Sequence, residues 1–143
     1  MQTVNAVTQD GEALAVLRVL AMRESLEALG RFDPVRARER FLSGFDPALT
    51  KKLLIDSKLV AFYVLKQEPD HLFLDHLYVH PDFQGAKIGA KLLAEVIQQG
   101  RSIGKSVRLG ALKGSRSNDF YKAHGFVKTH EEAFDNYYEL THS

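Results

Sequence analysis

Cysteine is absent from all 143 residues, which excludes disulfides, thiolate nucleophiles and thiolate-bound zinc and fits a reducing compartment. A chain of this length can still bury a sizeable core without covalent or metal support, and it fits one domain, residues 1–143. An excess of one charge is missing too. Nineteen Lys and Arg stand against eighteen Asp and Glu, a net charge of +1, too balanced to signal a nucleic-acid binder. There is no run of eighteen apolar residues, and no charged amino terminus leading into an apolar signal segment. The expectation is a cytoplasmic protein with neither a nucleic-acid nor a membrane partner.

What the chain does contain is a regular succession of elements. Leu14, Leu17, Leu20 and Ala21 mark a broad apolar face on a first helix ending near Gly30. Asp33-Pro34 starts a second helix, carried by Val35, Ala37, Arg38, Phe41 and Leu42 to Gly44. Residues 53–55 and 59–65 read as a hairpin around Asp56-Ser57, and Glu68-Pro69-Asp70 forms the next turn. Farther on come a strand over 107–112, a short helix from about Asn118 to His124 stopped by Gly125, a strand starting at Phe126 and Val127, and a last strand over 134–140. The order predicts an α/β domain with a mixed sheet.

The most informative stretch is Leu72 to Glu95. Phe73, Asp75, Leu77 and Val79 alternate with Leu72, Leu74, His76 and Tyr78 as the two faces of a strand. Pro81 closes its ladder. Ile88, Leu92 and Val96, widened by Leu93 and Ile97, then form a helical stripe, predicting a helix that begins near Gly85. Free amides at its positive end can bind a phosphate, and Lys87 adds a mobile charge. The single glycine turn after several elements does not fit a repeated dinucleotide-binding unit, and it lacks the glycine-lysine-hydroxyl ending of a Walker loop. A basic set, Lys105, Arg108, Lys113, Arg116 and Lys122, reads either as a solvated face or as a rim for a phosphorylated ligand.

Two segments, LYVHPDFQGAKIGAKLL at 77–93 and NDFYKAHGF at 118–126, resemble the GCN5-related N-acetyltransferase (GNAT) superfamily. The turn matches the family's Gln/Arg-x-x-Gly-x-Gly/Ala pattern as Gln84, Gly85, Ala86, Lys87, Ile88, Gly89, with Lys87 replacing the middle glycine. The resemblance implies a mixed, mostly antiparallel sheet with flanking helices and splayed central strands, and acetyl-coenzyme A as cofactor. It implies that amides from Gln84 through Ala90 cradle the pyrophosphate, and that backbone groups of Leu77, Tyr78 and Val79 hold the pantetheine and the acetyl carbonyl. Tyr121 matches the family's frequent general acid, placed to protonate the departing thiolate. Asn118 is a helix cap or a cofactor contact, and Lys122 a candidate for a coenzyme phosphate. Phe120 and Phe126 read as anchors of the short helix.

The attacking amine must be neutral, so a base or a water chain is expected. Asp75 and His76 lie where family members often place a base, but on opposite faces of their strand. An imidazole titrates at about 6.5, which suits His76 to the task; Asp75 more naturally holds a cation. The histidines and acids show no compact metal-ligand spacing, and no metal is expected. Asp135, Tyr137 and Tyr138 read as lining an acceptor pocket or a homodimer seam. The resulting expectation is an N-acetyltransferase acting on a small-molecule amine. A protein amine as acceptor and a non-catalytic acyl-coenzyme A-binding module are the alternatives.

Overall fold

Local chemistry sets the early boundaries. The Asp33 carboxylate accepts from the Arg36 amide at 3.0 Å, and Pro34 sits in the first turn of α2 (Pro34–Gly44), where no amide hydrogen is required. Asp56 and Ser57 adopt φ of 50° and 66°, the paired left-handed residues of a tight hairpin whose twist suits the flanking strands. The computed structural model describes residues 2–85 and 87–142. Within them the chain divides into two compact units, Met1–Val64 with His76–Leu92, and Leu65–Asp75 with Leu93–Ser143.

The first unit begins with a strand that the sequence reading did not foresee, β1 (Gln2–Asn5), antiparallel to β2 (Thr50–Ile55). Four residues with one apolar side chain, Val4, carry too little periodicity to stand out. β2 continues antiparallel into β3 (Lys58–Gln67). Over these strands α1 (Gly11–Ala28) and α2 contribute Leu14, Ala15, Leu17 and Phe41 to a core shared with Ala6, Phe62 and Val64. Fully burying one such side chain contributes about 1.5–3 kcal/mol. The buried positions of α1 end at Leu17, so Leu20, expected on the apolar face, is 41% exposed. Lys52 and Asp10 form an ion pair at 2.9 Å, and Arg38 grips Glu12 with two bonds of 2.7 and 2.6 Å.

In the second unit, the start of β4 (His71–Val79) runs parallel to β5 (Ser106–Leu112), with His71 opposite Ser106 and Leu74 opposite Leu109. β5 pairs antiparallel with β7 (Asp135–Leu140), and β6 (Val127–Glu131) pairs with the outer edge of β7. The crossover from β4 to β5 is α3 (Ile88–Ser102), whose stripe Ile88, Leu92, Leu93 and Val96 is buried as its spacing predicts. Between β5 and β6 lies α4 (Ser117–Ala123). Gly125 takes φ of 93° and lets Phe126 N donate back to Tyr121 O, the expected left-handed stop.

Among the described residues the sheet has seven strands in the order β1-β2-β3-β4-β5-β7-β6. It is mixed, mostly antiparallel, and flanked by helices, as the resemblance implies. The β4–β5 ladder ends at the Leu74–Leu109 pair, although β4 continues to Val79 and β5 to Leu112. None of the described helices is long and apolar enough to cross a membrane.

Candidate active site

The turn after β4 is built in steps. His80 N donates to Val60 O at 2.7 Å, and His80 Nδ1 accepts from Asp82 N at 3.1 Å, capping a short 3-10 turn over Pro81–Phe83. Gln84 Nε2 then reaches back to Val79 O at 3.3 Å, tying two of the expected cofactor residues to each other. α3 starts at Ile88, three residues later than the sequence pattern predicts. The reason lies in the backbone. Gly85 and Lys87 take φ of 88° and 62°, and neither left-handed residue can belong to a right-handed helix.

Lys91 N donates to Lys87 O at 3.0 Å, closing the first helical turn. The amides of Ile88, Gly89 and Ala90 therefore have no acceptor within the helix and point from its positive end. Left-handed Lys87 leads directly into right-handed Ile88, and a change of hand between neighbours turns successive amides toward a common anion. Lys87 is exposed. Its left-handed backbone costs about 1–2 kcal/mol relative to a relaxed conformation, a cost that glycine would not carry. Ala86, one of the expected pyrophosphate residues, lies outside the described residues.

On β4, His76 and Tyr78 share a face, two residues apart. His76 Nδ1 lies 3.2 Å from Tyr78 Oη. The Phe41 ring of α2 meets the His76 ring edge-on at 5.4 Å, and Phe62 of β3 packs against Tyr78 at 5.6 Å. Leu77 and Val79 are half-buried. Asp75, in the second unit, pairs with Lys66 at 3.1 Å, the cation-holding role its chemistry suggested. The sequence reading used Tyr78 only for its backbone; the alternation that puts it beside His76 was the available signal.

Tyr121 lies on α4, 6% exposed, with its ring against Phe120, Phe126 and Tyr138 at 5.3, 5.8 and 6.4 Å. Phe126 is buried as expected of an anchor, whereas Phe120 is only partly covered. Asn118 requires a correction. It lies inside α4, and its side chain caps no helical amide. Its Nδ2 donates to Leu112 O at 2.9 Å and Ser115 O at 3.0 Å, while its Oδ1 accepts from Tyr138 Oη at 2.8 Å and Asn136 Nδ2 at 3.0 Å. Two donors and two lone pairs are thereby satisfied within the protein, which leaves none for a cofactor.

Of the other late residues, Tyr138 is buried, and Tyr137 stacks on His130 at 4.7 Å. Burial, then the nearby Glu132 and Asp135 carboxylates, push the Tyr137 phenol up from its ordinary value and keep it neutral. The basic set is largely engaged. Arg108 binds Glu139 at 2.7 Å, Lys113 binds Glu131 at 3.3 Å, and Lys105 donates to Glu68 O at 2.9 Å. Lys122 is exposed. Among the described residues no three His, Asp or Glu gather as a metal site.

The fold recurs in known proteins. The crystal structure of PaiA N-acetyltransferase from Thermoplasma acidophilum in complex with coenzyme A superposes with a TM-score of 0.83 at 19% identity, covering 99% of this chain and 98% of that one. Ribosomal-protein-S18-alanine N-acetyltransferase from Escherichia coli gives a TM-score of 0.76 at 18% identity over 99% and 95% of the two chains. In sequence, L-amino acid N-acyltransferase MnaT from Escherichia coli (strain K12) is 36% identical over 61 residues, which are 41% of this chain and 36% of that protein. The match thus spans little more than a third of the curated relative. Residues 15–126, most of the chain, match the model of the acetyltransferase (GNAT) family. The chain belongs to the GNAT family of acetyltransferases.

Proposed function

We propose that the protein transfers the acetyl group of acetyl-coenzyme A to the primary amine of a small, amino-acid-like molecule. The observation that carries this reading is the turn from Gln84 to Ala90. Left-handed Gly85 and Lys87 lead into the amino end of α3, a backbone arrangement suited to a pyrophosphate. Gln84, Gly85, Ala86, Lys87, Ile88, Gly89 and Ala90 are assigned to that group, with Lys122 as a further phosphate contact. Backbone groups of Leu77, Tyr78 and Val79 are assigned to the pantetheine arm. The coenzyme A complex of the Thermoplasma protein supports the cofactor.

Acetyl-coenzyme A supplies the activated acyl group. The chain's own residues handle two protons: His76 takes one from the acceptor amine, directly or through water, and Tyr121 gives one to the departing sulfur. Asp75, held by Lys66, is assigned to charge balance instead of proton transfer. Residues 1–143 act as one cytoplasmic domain in this reading, and the exposed edge strand β6 makes a homodimer its proposed assembly. The similarity to an L-amino acid N-acyltransferase supports the acceptor class.

A second reading, acetylation of a protein amino terminus, is supported by the fold shared with the S18-alanine enzyme. Incubating the purified protein with acetyl-coenzyme A and a panel of free amino acids, other small amines and peptides with free amino termini separates the readings. Acceptor-dependent thiol release with amino acids is the expected outcome. Release with peptides alone would favour the second reading, and cofactor binding without release would make the protein a non-catalytic acyl-coenzyme A-binding module.

A further inference from the structure

We infer that Arg18 is a specificity-determining residue that binds a carboxylate of the acceptor, so that the acceptor is an amine carrying its own free carboxylate, as an unmodified amino acid does. The inference rests on the transferase reading above and deepens it by selecting among acceptors. Arg18 follows the fully buried Leu14 by four residues and shares its face of α1. It is half-buried there, whereas the other arginines are exposed. An arginine drawn inward is ordinarily paired with an acid. Arg23, Arg38 and Arg108, though exposed, have Glu27, Glu12 and Glu139; among the described residues Arg18 has no carboxylate partner.

Its guanidinium is held but not neutralised. Nη1 donates to the Ala37 carbonyl of α2, and Nε is buried with no hydrogen-bond partner. Of five donors one is thus satisfied within the described residues, by a neutral oxygen. A charge withdrawn from water on such terms is costly until an anion completes it. With Nε enclosed and Nη1 engaged, Nη2 is the nitrogen left to meet a ligand. Together with the second hydrogen of Nη1 it forms a planar two-donor edge, which fits the two oxygens of one carboxylate.

The position of Arg18 suits that task. Ala37 and Phe41 are both buried, one turn apart on α2, which is about 5.4 Å along its axis. The Phe41 ring in turn meets His76 edge-on at 5.4 Å. Arg18, Ala37, Phe41 and His76 belong to the first compact unit, as do the strand residues and the turn assigned to the coenzyme. An amino acid hydrogen-bonded at both ends, with about 2.9 Å for each bond, bridges a gap of that order. An amine without a carboxylate would leave the guanidinium unpaired in the closed complex, and sites built to pair a polar group reject analogues that lack it. Peptide amino termini, whose neighbouring carbonyl is an amide, fall in the rejected class.

The test compares kcat/KM, read as thiol release, for L-alanine, L-leucine and L-phenylalanine, each against its own carboxamide. The amide keeps the amine and side chain and removes the negative charge. In the unaltered protein the best acid should exceed its amide by about thirtyfold. Arg18→Gln should bring that ratio to within about threefold of one. Arg18→Lys, which keeps the charge but not the planar fork, should lower it about fivefold, and it carries the test should Arg18→Gln fail to fold. A merely structural role would lower acid and amide alike, so a ratio that neither substitution lowers would overturn the inference, as would a ratio near one for every pair in the unaltered protein. Absence of thiol release with every acceptor would instead sink the transferase reading. Calorimetry with N-acetyl-L-alanine and its amide, with and without coenzyme A, would then still decide the role of Arg18: the acid should bind at least about tenfold more tightly, Arg18→Gln should erase the difference, and equal affinities in the unaltered protein would overturn the inference.

Discussion

Tyr138 Oη donates to Asn118 Oδ1 at 2.8 Å, joining the last strand of the sheet to the helix that carries Tyr121. Asn118 is 9% exposed, and its amide also holds Leu112 O and Ser115 O. Asn118→Ala would leave Tyr138 Oη, Asn136 Nδ2 and two backbone carbonyls without this partner. The expected loss is about 2–4 kcal/mol of stability, read from the urea midpoint at unchanged slope. Tyr138→Phe, which removes one bond, should cost roughly 1 kcal/mol. A midpoint for Asn118→Ala equal to the parent's would show that the network is not structural.

Tyr121 keeps its contacts with Phe126 and Tyr138 when only the hydroxyl is removed. Tyr121→Phe should therefore fold and bind acetyl-coenzyme A as the parent does, while kcat falls about a hundredfold for lack of the acid. Calorimetric binding together with steady-state thiol release checks both halves; undiminished turnover would remove Tyr121 from the chemistry.

Lys87, at φ of 62°, predicts an ordering of substitutions. Lys87→Gly relieves the left-handed strain but loosens the unfolded chain, for a net change between zero and a gain of about 1 kcal/mol. Lys87→Val adds a β-branched side chain where it is least tolerated and should cost about 1–2 kcal/mol. Chemical denaturation of the two variants should separate them in that order, and Val equal to Gly would count against the assigned backbone.

Gly100 lies in the last part of α3, where replacement by alanine ordinarily stabilises by roughly 0.5–1 kcal/mol. Here an added Cβ would meet Lys105 O at 2.8 Å and Val107 Cγ2 at 2.9 Å. Backbone cannot retreat as a flexible side chain can, so Gly100→Ala should lower stability by about 1–3 kcal/mol. A raised melting temperature would contradict the close approach.

The Glu139 carboxylate is held below the usual glutamate value of 4.5, first by its bond to Arg108 and then by Ser106. A carboxyl with a depressed folded-state pKa contributes stability that is fully present above its unfolded value and is lost as pH falls through the folded value. The protein should therefore lose stability steeply below about pH 4.5. Glu139→Gln should flatten that part of the curve and leave its slope near neutrality alone. Melting temperatures across pH 3 to 7 for both proteins provide the check.

Much of the fold was legible because several boundaries are local chemistry. The Asp33-Pro34 start of α2, the Asp56-Ser57 hairpin and the Gly125 stop all occur where residue type alone restricts the backbone. β1 is not legible in the sequence because four residues have no period to read, and the exposure of Leu20 is not legible because helical spacing marks an apolar face without saying how far along the helix a core extends. The late start of α3 belongs to the same class. A stripe beginning at Ile88 is compatible with any entry, and only the dihedrals of Gly85 and Lys87 show that the turn before it is left-handed.

By itself the sequence determined the strand-helix crossover, the glycine-bearing turn that enters it, the identity of Tyr121 as the phenol nearest the family pattern, and the shared strand face of His76 and Tyr78, because periodicity and residue chemistry act within a few positions. Tertiary structure alone decided that Asn118 bonds to β7, that Phe41 from α2 braces His76, and that Arg108 and Glu139 neutralise each other. Each of these joins residues 18 or more positions apart, and such partners are selected by the packing of elements, which no local pattern encodes.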